Sequence, residues 1–501
     1  MSVTGPGSIT AANIAAQNNM MDQLNTLATQ LGTGQAAQTF SGLESQAGMV
    51  VALNSQMAAI NGYTNTISTV NTTLSVAQTA LSQIDTLAGQ VQQEFTDKPG
   101  FSLNGSGQTQ VQIAAQSQLD EIVSLLNTQV GSNYIFSGTA VNQPAVASTS
   151  AILNGTGAQA GLTQIISQRQ QADLGSGTGR LSTALAGSTV SLSQDGSPFG
   201  FQLTGVSSSL TGATATGPTG SPASISVALA SNPNDGDTVS FQLTLPDGST
   251  QTISLQATSS ATPGTGQFSI GTTPANTAAN LQTALNSAIT SLAQTALPPA
   301  SAMEAGNNFF TNPPQIVVPG AGNNYSTAMS MTSGTSANTV MWYTGENGAT
   351  PARQTATALV GPSTTVDYGM RANEQGIVNI MKNVAVLAAT TFSAGNTNAK
   401  QNYLALSQKA EINLNNVSGT QSIQDIESDL ANAQTTVANA TKLNTQTQTA
   451  VNEILTNVDG VNQTDIGEKI LTLQNNLSAS MSVSARLAQI SLVSYLGTST
   501  G

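Results

Sequence analysis

The chain has 501 residues, a formal net charge of −13 and only 11 lysines and arginines, so no broad cationic surface is available for nucleic acid or anionic lipid. Cysteine and histidine are both absent, which excludes disulfides, the usual zinc ligands, thiol nucleophiles and imidazole bases. We therefore predict no catalytic residue, no cofactor and no metal site, and no nucleic-acid partner.

The first residues, from Met1 to Pro6, contain neither the basic segment nor the apolar segment of a secretory signal peptide. No run in the chain approaches the roughly 18 apolar residues of a membrane span. We therefore expect no membrane insertion and, if the protein is exported, a route without a cleaved signal peptide.

Heptad periodicity dominates the N-terminal part of the chain. A short helix marked by Leu24, Leu27 and Leu31 is predicted to stop near Gly32. Over about residues 43–95, apolar residues then recur every seven positions, with a second series three places later, which is a coiled-coil seam. At 1.5 Å per residue this helix would be roughly 80 Å long. The first series of the seam is Leu53, Ile60, Ile67, Leu74 and Leu81.

After a turn at Lys98–Gly100, a further helix is predicted to end at Gly131. Between about 140 and 365 the helical periodicity mostly disappears. Alternating apolar residues at 239–245 and 253–255, on either side of a Pro-Asp-Gly-Ser turn, predict a β-hairpin. One short helix is predicted over residues 281–292, and a second β segment over 340–343 and 352–360.

The heptads return near the C-terminus. The predicted seam residues there are Ile423, Leu430, Val437 and Val451. Asn444 and Thr447 interrupt this seam, and we interpret them as a polar layer that fixes register. The last helix is marked by Ile466, Ile470, Leu473, Leu477, Leu487 and Ile490. The sequence thus predicts a mainly α-helical fold with an inserted β-rich domain, in which a long coiled-coil-like helical rod is built from both termini and carries an α+β outer domain.

Several separate motifs, in a fixed order, resemble the bacterial flagellin family, which includes flagellin and the hook–filament junction protein. The matching segments are Gln-Leu-Gly-Thr-Gly at 30–34, the helix from 61 to 81, Tyr-Ile-Phe-Ser-Gly-Thr at 134–139, Tyr-Gly-Met-Arg-Ala-Asn-Glu at 368–374 and Ile-Ser-Leu-Val-Ser-Tyr-Leu at 490–496. The likeness covers about residues 20–140 and 335–496. One departure stands at Gln35 and residues 39–44, where the family usually has a basic residue and two aspartates.

The resemblance implies a D0/D1-like layout with these domains: 1–42 N-terminal assembly helix, 43–140 N-terminal rod, 141–335 variable outer domain, 336–464 β segment and C-terminal rod, and 465–501 C-terminal assembly helix. It also implies an extracellular structural subunit, exported by the flagellar type III apparatus, whose terminal segments are loose in the monomer. Its partners would be further copies of itself, other hook or filament proteins and an export chaperone. The ending at Tyr495 and Leu496 favours the junction protein, and filament flagellin is the alternative.

Other functions have weaker support. A surface adhesin or a tail-fibre-like protein would not need matched heptads at both ends of the chain. Residues 232–237 resemble a calcium loop, but the glycine spacing and the missing final glutamate favour a turn. Trp342 and Tyr343 could form a sugar-stacking platform, although a core aromatic pair is the simpler interpretation.

Overall fold

The computed structural model describes residues 6–37, 39, 46–96, 100–415 and 419–497. By internal contacts the chain divides into two compact units. The terminal unit comprises Met1–Thr69, Leu359–Val366 and Thr435–Gly501, and the central unit comprises Val70–Ala358 and Asp367–Gln434. None of the described helices combines the length and the apolarity needed to cross a membrane.

Helices occupy both ends of the chain and parts of its middle. Their bounds are α1 Pro6–Thr33, α2 Ala47–Thr96, α3 Gln110–Leu126, α4 Thr149–Asn154, α5 Leu162–Leu174, α6 Pro274–Thr295, α7 Leu297–Phe309, α8 Gln375–Ala389, α9 Ala399–Leu414, α10 Ile423–Asp459 and α11 Gln463–Gly497. Short 3₁₀ helices span Ala321–Asn323, Tyr325–Thr327 and Ala352–Thr355.

The strands are short. Their bounds are β1 Gln129–Val130, β2 Asn133–Tyr134, β3 Leu181–Ala186, β4 Thr189–Gln194, β5 Gln202–Ser208, β6 Ala213–Thr219, β7 Ser224–Leu229, β8 Thr238–Thr244, β9 Thr250–Thr258, β10 Gln267–Ser269, β11 Gln315–Val318, β12 Ser330–Ser333, β13 Thr357–Leu359 and β14 Thr365–Asp367. Long helices at both ends and β-sheets between them confirm the predicted fold class.

Two four-stranded sheets share one core. Their strand orders are β3-β4-β7-β6 and β10-β9-β8-β5, and only the β9–β10 pair is parallel. Helix α6 packs against strands of both sheets. It begins with Pro274 after the N-cap Thr273, whose hydroxyl accepts the Asn276 backbone N–H at 3.2 Å. The predicted hairpin is β8–β9, with Phe241 opposite Ile253.

Many threonines in the long helices bond to their own backbone. The Thr64 hydroxyl donates to the Ile60 carbonyl at 2.9 Å, and Thr441 donates to Val437 at 2.8 Å. Threonine is a poor helix former, so these helices depend on burial of their apolar stripe for most of their stability.

The structure differs from the sequence prediction in three places. The helix expected to reach Gly131 ends at Leu126, because the Asn127 amide donates to the Val146 carbonyl and accepts the Val146 N–H, both at 3.0 Å. The region from 140 to 365 contains α4, α5, α6 and α7 instead of one helix. Residues 340–343 do not form a β-strand, and Tyr343 pairs with Val146 through an isolated β-bridge.

Replacing Leu285 by Ala tests the shared core of the two sheets. Leu285 is fully buried on α6, so the substitution should lower the free energy of unfolding by about 2–5 kcal/mol. Leu185→Ala is the control, since this leucine on β3 is 39% exposed and the change should stay within about 0.5 kcal/mol. Urea unfolding followed by the fluorescence of the single tryptophan reports on the central unit. Equal effects of the two variants would contradict this view of the core.

Candidate assembly surface

The first and last helices of the chain pack against each other within the terminal unit. The Gln17 amide donates to the Ser484 hydroxyl at 3.0 Å, far along both helices. Where α1 has ended and α11 has not yet begun, the Val461 N–H donates to the Gly34 carbonyl at 3.1 Å. Residue numbers therefore rise along one helix as they fall along the other, and the pair is antiparallel.

The residues predicted as assembly positions lie mostly on the contact side of this pair. Ile466 is buried, and the half-buried members are Leu24, Leu27, Ile470, Leu473 and Leu477. Leu31 and Leu487 are 37% and 40% exposed. The side chain of Ile490 lies outside the described residues, as do those of Tyr495 and Leu496.

A second set of apolar residues on α1 and α11, here called the exposed apolar set, was missed by sequence reasoning. Its members are Ile14, Met21, Leu471, Met481 and Val483, each between 47% and 62% exposed. Ile14 and Met21 are one heptad apart, which is the signal that could have revealed them. Most exposed large hydrophobic side chains of the described residues lie in the terminal unit, although it is the smaller unit. We interpret this concentration of exposed apolar side chains in one unit as the sign of an interaction surface.

Charges are scarce on this helix pair. Asp22 is the one charged residue in the 28-residue α1. In α11, Lys469 and Asp465 form an exposed ion pair at 3.0 Å, which contributes little to stability. A second apolar surface could thus approach without displacing a dense layer of charge.

The predicted seam residues of α2 and α10 are also largely buried. Buried members are Ile60, Ile67, Leu74, Leu81, Ile423, Leu430, Val437 and Val451, and Leu53 is half-buried. Within the central unit the Gln434 amide donates to the Gln78 amide oxygen at 2.8 Å, and the Gln424 amide donates to Asp85 at 3.0 Å. As the residue number rises along α2 from 78 to 85, that of its partner on α10 falls from 434 to 424, so the two helices run antiparallel there.

Asn444, one of the two polar residues that interrupt the C-terminal seam, is buried with 4% of its surface exposed. Its Nδ2 donates to the Val360 carbonyl at 3.0 Å, so the amide is satisfied by the 359–366 segment of the terminal unit. Thr447 instead donates to the Leu443 carbonyl of its own helix at 2.8 Å. The two residues therefore have different roles: Asn444 joins α10 to a second segment, whereas the hydrogen bond of the Thr447 hydroxyl stays within α10.

Two of the segments that resemble flagellin motifs, residues 134–139 and 368–374, contact each other in the central unit. The Gly138 N–H donates to the Met370 carbonyl at 3.0 Å, and the Ala372 N–H donates to the Phe136 carbonyl at 2.9 Å. Gly138 has φ of 62°, a left-handed conformation that favours glycine. The segments 134–139 and 368–374 are thus joined backbone to backbone.

Arg371 is the charged centre of this junction and is 7% exposed. Its guanidinium donates to the carbonyls of Gly348 at 2.9 Å and Thr350 at 2.6 Å, and forms an ion pair with Glu346. Its backbone N–H donates to Glu374 at 3.1 Å. Because an unpaired charge is costly in a low-dielectric interior, these contacts offset the desolvation cost of the buried guanidinium.

Arg371→Gln should therefore destabilise the central unit. Removing one partner of a buried ion pair leaves Glu346 uncompensated and costs about 3–5 kcal/mol. Lys400→Gln is the matched control, because Lys400 is exposed on α9 of the same unit and the change should stay within about 0.5 kcal/mol. Tryptophan fluorescence in urea would measure both variants, and an unshifted midpoint for Arg371→Gln would contradict the assignment.

The loop compared with a calcium site is held by hydrogen bonds. The Asp237 carboxylate accepts the backbone N–H groups of Thr211 at 2.8 Å and Asn234 at 2.9 Å, and Asp235 accepts that of Ser259 at 2.6 Å. Across the described residues no three acidic side chains converge on a potential metal position. The hydrogen bond from Thr211 is the first cause that lowers the pKa of Asp237 from its usual value.

The lowered pKa gives a signed prediction. Asp237 contributes to stability above the unfolded pKa of about 3.9, and this contribution is lost as the pH falls through the lower folded pKa. A carbon NMR titration of the folded chain should place its midpoint below about 3.9. Asp237→Asn, which keeps an acceptor oxygen, should remove this titration and leave the loop backbone in place. A midpoint at or above the reference value would contradict the proposed hydrogen bonds.

Trp342 and Tyr343 belong to the core. They are 1% and 4% exposed, and the indole N–H donates to the Thr311 carbonyl at 3.1 Å. Phe310 packs against Trp342 with ring centroids 5.2 Å apart. Burial raises the pKa of the Tyr343 hydroxyl. Buried rings of this kind cannot serve as an open platform for sugars.

The first and last helices of the described chain pair with each other, and several apolar side chains remain exposed on both. Residues 6–141 match the family model for the bacterial flagellin N-terminal helical region. The N-terminal part of the chain is therefore similar to bacterial flagellin, a family of structural proteins that polymerise into flagellar filaments. No curated protein sequence matches the chain significantly.

Proposed function

We propose that this chain is an extracellular structural subunit of the bacterial flagellum and that it polymerises through the paired helices α1 and α11. The observation that supports this most directly is the exposed apolar set of α1 and α11, which consists of Ile14, Met21, Leu471, Met481 and Val483. Burial of each such side chain against a neighbouring subunit contributes about 1.5–3 kcal/mol. The chain acts as a building element and not as an enzyme.

The inward stripe would hold the helix pair together while the exposed apolar set packs against neighbouring subunits. The 1–42 and 465–501 segments would be the assembly helices, 43–140 and 336–464 the rod, and 141–335 the outer domain. Residues 40–45, which include the positions where the family usually has aspartates, lie outside the described residues. We propose no specific intersubunit salt bridge there.

Within the family we favour the hook–filament junction protein, on the Tyr-Gly segment at 368–369 and the Tyr-Leu ending at 495–496. Filament flagellin is the alternative. The two differ in copy number, because a junction is a thin ring and a filament contains thousands of subunits. Quantifying the chain in sheared filaments distinguishes them. The proposal also includes export through the flagellar type III apparatus with a chaperone.

Leu471→Gln tests the assembly surface. Leu471 is 62% exposed, so the free energy of unfolding of the variant monomer should stay within about 0.5 kcal/mol of that of the unsubstituted chain. Polymerisation should require at least roughly tenfold more protein, because 1.4 kcal/mol of lost contact energy is a factor of ten. Sedimentation and electron microscopy would measure the critical concentration.

Leu185→Gln serves as the control for that experiment, since Leu185 is also exposed but lies on β3, within the region assigned to the outer domain. It should polymerise at the same concentration as the unsubstituted chain. If Leu471→Gln also polymerises at that concentration, the exposed apolar set of α1 and α11 does not form the assembly surface.

A further inference from the structure

A cleft of about 550 Å³ opens in the central unit between α7, α8, α9 and the turn joining β8 to β9. Its walls combine apolar groups such as Phe310 and Val378 with two lysines, Lys382 and Lys409. The pairing of lysines is unusual in a chain of net charge −13 with 11 basic residues. The two lysines differ in one respect, which is whether their charge is already neutralised.

Lys409 has its counterion. Its ammonium donates to the Asp247 carboxylate at 2.6 Å and to the Ser249 hydroxyl at 2.7 Å. Asp247 also accepts the Ser249 backbone N–H at 3.1 Å, so the turn presents this carboxylate in a fixed position. The ion pair leaves Lys409 with little capacity for another anion.

Lys382 has no such counterion. It is half-buried on α8 and forms no ion pair within 4.0 Å among the described residues. Glu304 is the carboxylate whose charge acts on it, but Glu304 accepts hydrogen bonds from Asn307 and Asn308 at 2.8 and 2.7 Å and lies 3.7 Å from Arg169. Burial lowers the pKa of the Lys382 ammonium, and a bound anion would relieve that penalty.

The remaining walls favour a small ligand of mixed polarity. The Asn379 amide donates to the Asn413 carbonyl at 2.7 Å, so this polar wall is held in place. Met303, Phe310 and Ile412 supply apolar surface, and Ile412 is 59% exposed. A ligand that places charge at Lys382 could bury a few methylene groups against them.

We propose that this cleft binds a carboxylate with a short apolar stem, with Lys382 as the charge partner. A single unpaired ammonium matches a single negative charge, whereas the second charge of a phosphate would be repelled more strongly by Asp247 in the cleft wall. The carboxylate is supplied either by a small molecule or by an acidic side chain of a second copy of this chain.

Butyrate is the probe, with butyramide as the uncharged analogue and inorganic phosphate as the competing anion. Full-length monomeric protein is titrated with each, and the Cε resonance of Lys382 is followed by NMR. Butyrate should shift this resonance saturably and raise the lysine pKa, butyramide should not, and phosphate should bind roughly tenfold more weakly or not at all. This assay does not depend on polymerisation, so it stands or fails independently of the proposed function.

Lys382→Met should weaken butyrate binding at least roughly tenfold, measured by amide shifts of neighbouring residues. Lys400→Met, on an exposed part of α9, should bind butyrate like the unsubstituted chain. If Lys382→Met fails to fold by tryptophan fluorescence, Lys382→Arg and Lys382→Gln replace it, and only the arginine variant should retain binding.

Equal butyrate binding with and without the Lys382 charge, or no saturable shift in the unsubstituted chain, overturns the proposal. Repeating the titration on polymerised protein separates the two sources. A cleft closed to butyrate in the polymer identifies a neighbour's acidic side chain, and a cleft still open identifies a small-molecule carboxylate.

Discussion

Contact between the first and last helices is the constraint on which the terminal unit depends. Gln17 and Ser484 are 467 residues apart in the chain and yet hydrogen-bonded, so closing this contact carries an entropic cost that local helix formation does not. The half-buried leucines at 24, 27, 473 and 477 offset that cost by removing apolar surface from water. Because the inward sides of the two helices are occupied by this contact, their other apolar side chains remain exposed to solvent. In the proposed assembly, these exposed side chains would be buried by neighbouring subunits.

The scarcity of charge gives these helices an unusual chemistry. Threonine hydroxyls donate to carbonyls one turn earlier, and glutamines bridge α2 and α10 where many coiled coils would use ion pairs. The hydroxyl–carbonyl bonds and the Gln434–Gln78 bond should be insensitive to salt, since neither partner in them carries a full charge. The buried guanidinium of Arg371 is paired with Glu346 and donates to the Gly348 and Thr350 carbonyls, so this charge joins segments about 20 residues apart.

The sequence predicted the heptad helices and the β8–β9 hairpin because each repeats a local period over many residues. It missed the end of α3 at Leu126, because the bonds between Asn127 and Val146 join segments that no local pattern connects. The exposed apolar set was missed for a related reason, because Ile14 and Leu471 belong to helices whose inward stripe is the stronger signal. The lysine cleft could not be predicted at all, since its walls come from four separate elements.

The 359–366 segment joins the terminal unit far from either chain end, and Asn444 fastens it by binding the Val360 carbonyl. The polypeptide thus departs from this unit after residue 69 and touches it again at 359. Closure entropy grows only with the logarithm of the intervening length, so lengthening or shortening that excursion changes the cost of return very little. Insertions or deletions in the sheets between these points should therefore affect the pairing of the terminal helices very little.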